Sequence, residues 1–154
     1  MRITLLCVGR LGKTPEGALA ADYAARATAV GRAKGLGPVD IVEVESRKAG
    51  KAAEAQALLN RLGGAHLIAC DEHGAARGSR DFAAFLMGLR DGGVRHLAFA
   101  IGGADGLGEA VLATAGERLA FGPQTWPHAL ARAMLAEQIY RAAAILAGSP
   151  YHRD

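Results

Sequence analysis

Aromatic residues make up only 5% of the 154 residues, cysteine occurs twice, and no uninterrupted apolar run exceeds the six residues of Ala142–Ala147. A membrane-spanning helix needs about 20 apolar residues, so none is expected, and the opening run Ile3–Val8 is too short for the core of a secretory signal. Cys7 and Cys70 each lie inside an apolar run and do not make a disulfide framework. They read as core thiols of a protein that works reduced in the cytoplasm. His66, His73, His96, His128 and His152 show neither an H-E-x-x-H pair nor paired Cys/His spacing, so no metal is expected. A strong charge of one sign is missing too. Eighteen basic against fifteen acidic residues leave +3, which permits nucleic acid without implying it. Fourteen of the eighteen are arginine, whose planar fork grips phosphate in a bidentate way.

What is abundant is small: 34 alanines and 21 glycines in a chain that is 51% hydrophobic. A domain of this length buries roughly 70% of the surface its unfolded chain exposes, so it needs no staple. Strand-like segments rich in Val, Ile and Leu occur at Ile3–Val8, Val39–Glu45, His66–Asp71 and Val94–Ile101, with a weaker one at Glu117–Phe121. Helical patterns lie between them at Glu16–Lys34, Lys51–Leu62, Arg80–Leu89 and Gly108–Ala115, and a last one runs from His128 to Ala147. This alternation predicts a single α/β domain over residues 1–154, a mostly parallel five-stranded sheet with helices on both faces. Gly35-Leu36-Gly37-Pro38 stops the first helix, Ser79 is placed to cap the third, and Gly92-Gly93 ends it. Val39–Glu45 reads as a strand with one wet face, whereas Leu97–Ile101, apolar on both faces, belongs mid-sheet. The last helix is apolar around more than half its circumference. One sheet covers one such face, and the other is expected to meet a second subunit.

Four segments could carry chemistry. Gly12-Lys13-Thr14 imitates the end of a phosphate-binding P-loop, but the glycine required at position 7 is Cys7, inside a strand, so a surface loop is expected. Ile101–Gly108 holds four glycines between a buried strand and a helix. It is either a site where a small molecule touches bare backbone or a structural tight turn, and it lacks the dinucleotide-binding spacing. Phe121–His128 contains two prolines and the sole Trp. Pro127 suits a helix start, and His128 in the first turn is disposed by the helix dipole to the neutral form or simply packs there. The tail sets Tyr151, His152 and Arg153 in succession, offering stacking, proton transfer and phosphate binding where chains ordinarily fray. Glu137 and Arg141 have the spacing of a helical ion pair. Arg47-Lys48-Ala49-Gly50-Lys51 is a basic loop that is either a solvated turn or an RNA backbone contact.

Taken in order, Ile101-Gly102-Gly103-x-x-Gly106-Leu107, Thr125-x-Pro127-His128-x-Leu130-x-Arg132, Glu137-Gln138-x-Tyr140-Arg141-Ala142 and Pro150-Tyr151-His152-Arg153 resemble the RlmH-type large-subunit ribosomal RNA methyltransferases of the SPOUT class. The likeness covers essentially the whole chain. It implies a trefoil-knotted homodimer that moves a methyl group from S-adenosyl-L-methionine to N3 of a pseudouridine in helix 69 of 23S rRNA, on the assembled ribosome. It implies a cofactor site in the knot, built from Cys70, Gly102 and Gly103 and from Phe121, Gly122, Pro123, Gln124, Thr125 and Trp126. N3 is an imide nitrogen that carries a proton at neutral pH, so transfer requires that proton to leave. His152 is expected to take it, with Tyr151 stacking on the base and Arg153 holding phosphate or the developing anion; His128 is the second candidate. Arg47, Lys48, Lys51, Arg132 and Arg141 are the expected RNA contacts. The chain departs from the family pattern at Cys70, Ala104-Asp105, the Phe121–Gln124 stretch and Trp126. A non-catalytic ribosome-binding factor on the same fold is the alternative, against which the intact Tyr151-His152-Arg153 stands. A nicotinamide-dependent oxidoreductase would need the missing fingerprint.

Overall fold

The computed structural model describes residues 1–152; Arg153 and Asp154 lie outside the described residues. In chain order the elements are β1 (Arg2–Val8), α1 (Pro15–Gly31), a 3₁₀ turn (Arg32–Lys34), β2 (Val39–Val44), α2 (Lys51–Arg61), β3 (His66–Ala76), α3 (Ser79–Asp91), β4 (His96–Ile101), α4 (Glu109–Thr114), β5 (Glu117–Ala120) and α5 (His128–Ala147). The strands form one sheet in the order β2-β1-β4-β3-β5, and every pairing is parallel.

The two-residue period of a strand sorts the side chains onto two faces. Ile3, Leu5, Cys7, Leu97, Phe99 and Ile101 point into a core shared with α1, α3 and α5. Leu6, Val8, Ala98 and Ala100 point into a second core under α2 and α4. β4, apolar on both faces, is the central strand as expected, and each of its fully buried Leu, Ile or Phe side chains contributes roughly 1.5–3 kcal/mol. β2 is an edge strand, which leaves Ile41 and Val42 only half-buried.

Local signals set most element ends. Thr14 Oγ1 accepts the Gly17 N–H at 3.2 Å with Pro15 at the first helical position, so the Gly12-Lys13-Thr14 segment serves to start α1. Ser79 does not cap α3. Gly78 occupies the cap position, and the Ser79 hydroxyl donates instead to Gln138 Oε1 on α5 at 2.9 Å. β3 runs five residues beyond the expected Asp71. Its register against β5 jumps from Cys70–Leu119 to Ala75–Leu119, so Asp71–Gly74 forms a bulge. The strand can resume because Gly74 lies flat on β5: a Cβ there would sit 2.6 Å from the Arg118 carbonyl carbon and the Leu119 nitrogen.

Much of the apolar circumference of α5 is covered by its own chain. α5 lies between α1 and α3, and buried alanines at 20, 24 and 27 on α1 and at 133, 136 and 142 on α5 let the helices approach closely. Leu19 and Leu130 remain exposed beside that seam. After edge strand β5 the chain returns to the carboxyl end of β1, three strands away, a path that fits a knotted chain.

Gly74→Ala is expected to destabilise the fold by about 1–3 kcal/mol, because the methyl group must displace β5 backbone; the midpoint of urea unfolding reads this directly.

Candidate active site

In a parallel sheet the loops after all strands gather at one edge, the usual place for a ligand in open α/β folds. Three strand spacings of about 4.8 Å separate β5 from β1, roughly 14 Å, and the seven residues 121–127 can reach about 23 Å when extended. The Phe121–Pro127 segment therefore has slack to pass the sheet edge near the β3 bulge that follows Cys70 and the end of β4 that precedes Gly102. Thr125 Oγ1 donates to Glu72 Oε2 in the β3 bulge at 2.7 Å, and Trp126 Nε1 donates to the Phe121 carbonyl at 3.2 Å. Both ends of the loop are thereby fixed before any ligand arrives. Pro127 then caps α5 and His128 is its first residue, half-buried, as expected.

The glycine segment is a closed tight turn. Gly103 and Gly106 bridge each other, the Gly106 N–H donates to the Gly103 carbonyl at 3.1 Å, and Gly106 adopts φ +79°. A Cβ on Gly102 would sit 2.4 Å from the Gly106 carbonyl carbon, so the turn itself requires glycine there. The geometry is that of the structural tight turn: the Cβ position of Gly102 faces Gly106 and Leu107, and that of Gly103 faces Glu54 and Val8. Burial pushes the Cys7 thiol up to about 12, and burial likewise pushes the Cys70 thiol far above its ordinary value. Neither is a nucleophile at neutral pH.

The tail folds back on its own helix. The Tyr151 ring centre lies 4.6 Å from that of Tyr140, and the Arg141 guanidinium sits 4.8 Å above the Tyr151 ring. Glu137 holds the group together. Its Oε1 accepts the Tyr151 hydroxyl at 3.0 Å and Arg141 Nε and Nη2 at 2.9 and 2.5 Å, while its Oε2 accepts Gln138 Nε2 at 2.7 Å. Burial and the hydrogen bonds to Tyr23 and Glu137 keep the Tyr151 phenol protonated well above its usual range. Arg141 Nη1 lies 3.4 Å from His152 Nδ1. Arg141 is therefore engaged in this network, with its side chain 26% exposed. Arg153 lies outside the described residues.

An apolar groove of about 690 Å³ is lined by Phe121 from the loop, by Glu137 of the tail's network, and by Leu19, Tyr23, Phe82 and Met134. Arg47, Lys48 and Lys51 are exposed on the same sheet edge. Arg132 is a correction: the guanidinium is 1% exposed, so RNA cannot reach it. It pairs with Glu43 Oε1 at 3.1 Å and donates to the Val8 carbonyl and, at 2.9 Å, to the Gly9 carbonyl. Glu72 was missed in the sequence because its partner Thr125 is 53 residues away. Glu137 was visible only as an ion-pair partner, since its link to Tyr151 depends on how the tail folds.

A family model described as a predicted SPOUT methyltransferase matches residues 1–152. The protein named ribosomal RNA large subunit methyltransferase H of Caulobacter sp. (strain K31) is 68% identical over 154 residues, 100% of each chain. Its namesake in Phenylobacterium zucineum (strain HLK1) is 67% identical over the same span, again 100% of each chain. Among solved structures, a probable methyltransferase from Bordetella pertussis Tohama I shares the fold, with a TM-score of 0.54 and 17% identity over 92% of this chain and 96% of that one.

Arg132→Ala would leave Glu43 and two strand-end carbonyls without their donor. We expect a loss of about 3–5 kcal/mol in stability, measured by chemical denaturation.

Proposed function

Because the chain belongs to the SPOUT methyltransferase family, we propose that it transfers a methyl group from S-adenosylmethionine to N3 of a pseudouridine in helix 69 of 23S rRNA, on the assembled ribosome in the cytoplasm. Identity of 68% along the full length of a ribosomal RNA large subunit methyltransferase H carries this reading. The site's geometry supports it. Gly102 and Gly103 form a side-chain-free tight turn at the end of β4, Cys70 stays an uncharged thiol, and the Phe121–Trp126 loop is tied to Glu72 and closed on itself. These residues suit an uncharged cradle for the cofactor's adenosine.

S-adenosylmethionine supplies an electrophilic methyl group on a sulfonium. In the transfer the bond from sulfur to methyl carbon breaks as the bond from carbon to N3 forms, and the N3 proton leaves to a base. We assign that base to His152. Its ring lies beside Arg141, with Nδ1 3.4 Å from Arg141 Nη1, which ties the imidazole to the Glu137 network. Glu137 positions Arg141 and Tyr151, and through them the tail. His128, at the helix start beside the cofactor loop, is the second candidate. Rate enhancement comes mainly from alignment of donor and acceptor.

Arg47, Lys48 and Lys51 are assigned to the RNA backbone. The exposed Leu19 and Leu130 beside the groove are assigned to a homodimer contact.

The experiment is incubation of the protein with methyl-labelled S-adenosylmethionine and ribosomes from a strain lacking this activity. Label at the helix 69 pseudouridine is expected. Bound cofactor with no label on 23S rRNA would reject the acceptor, and absence of cofactor binding would return the chain to a ribosome-binding factor. His152→Ala should cut transfer by about 10²–10⁴-fold and leave cofactor affinity, read by equilibrium dialysis, unchanged; equal loss of both would remove His152 from the role of base.

A further inference from the structure

Recognition of a base outside a helix ordinarily uses an aromatic platform. Tyr151 is the residue that the tail offers for this, but its ring is engaged on Tyr140 at 4.6 Å and under Arg141 at 4.8 Å, with its hydroxyl spent on Glu137. Freeing a face of Tyr151 means breaking that group. Trp126 has the opposite surroundings. It is 39% exposed, one of three large hydrophobic side chains so placed among the described residues. Among the described residues no other ring and no guanidinium lies over it. Its Nε1 is tied to the Phe121 carbonyl at 3.2 Å, and its neighbour Thr125 is tied to Glu72 at 2.7 Å. Pro127 on its other side fixes the entry into α5.

An indole fixed by its N–H edge and left open to solvent is a costly use of the chain's only Trp, unless something flat covers it. Its polar edge is taken up by its own loop, so what it still offers to solvent is apolar ring surface. A platform held in place before binding loses little conformational freedom when a base arrives.

We propose that Trp126 is the surface on which a nucleobase of the RNA acceptor stacks, next to the reacting pseudouridine or on it. The proposal rests on the rRNA methyltransferase reading and moves the stacking role from the tail to the cofactor loop. The loop then works on both sides: backbone toward the methyl donor, indole toward the RNA.

Three variants test it: Trp126→Phe, Trp126→Leu and Trp126→Ala, each assayed for methyl transfer to ribosomes and for S-adenosylmethionine affinity by equilibrium dialysis. Stacking by one base predicts that Leu and Ala raise KM for ribosomes about 5- to 100-fold, that Phe restores most of it, and that cofactor affinity holds in all three. An equal fall in cofactor affinity would place the indole in the cofactor site and overturn the proposal. So would unchanged KM, or a change of oligomeric state in Trp126→Leu at the assay concentration. Direct binding separates this from the methylation reading: an RNA hairpin carrying the helix 69 loop should quench the sole Trp's fluorescence in the wild type whether or not methyl is transferred. Hairpin binding without quenching, or no hairpin binding, would count against stacking, whereas quenching without label on rRNA would spare the platform and reject the acceptor.

Discussion

A single buried guanidinium joins the parts of this molecule that have to agree. Arg132 reaches from the first turns of α5 to the end of β1, through the Val8 and Gly9 carbonyls, and to Glu43 near the end of β2. Glu43 in turn accepts the Leu11 N–H at 2.8 Å, which fixes the loop leading into α1. Burying an arginine is costly unless its donors are used, so this one is retained only while strand ends, loop and helix keep their arrangement. The start of α5 is thereby set relative to the sheet, and with it the loop that ends at Pro127.

From that anchor the site follows by short links. The loop before α5 has its ends on β5 and on the anchored helix, and Glu72 and Phe121 fix it between them. One face of α5 then carries Glu137, Gln138 and Arg141 toward the groove and the tail. Ser79 on α3 holds Gln138, so the tail's network is continuous with the helix layer. The chemistry assigned here asks for alignment more than for unusual reactivity, and this arrangement supplies rigidity in place of perturbed nucleophiles.

The sequence made the architecture readable because its signals were periodic and local. Ile3, Leu5 and Cys7 alternate with Thr4, Leu6 and Val8, and β4 is apolar on both faces, which fixed its place at the centre of the sheet. Pro127 marked the start of α5 by the chemistry of its missing N–H. The second half of β3 was hidden because apolar alternation stops at Asp71, while pairing resumes through Gly74, which has no side chain to show periodicity. Ser79 looked like a cap because local chemistry favours one; a partner 59 residues away took its hydroxyl. Arg132 looked like a surface cation for the same reason, since nothing nearby in sequence reveals the carbonyls it meets. Links between distant residues decide the site's details, and a single sequence does not display them.

The burial of Cys70 bears on chemoselectivity. A thiolate is a far better acceptor for an activated methyl group than a neutral imide nitrogen, and Cys70, the last β3 residue before the bulge, pairs with Leu119 on β5, the strand that leads into the loop proposed for the methyl donor. If ionised, it would compete with the acceptor proposed above for the methyl group. Desolvation keeps the sulfur protonated, so under the proposed reaction this thiol offers no thiolate to compete for the methyl group.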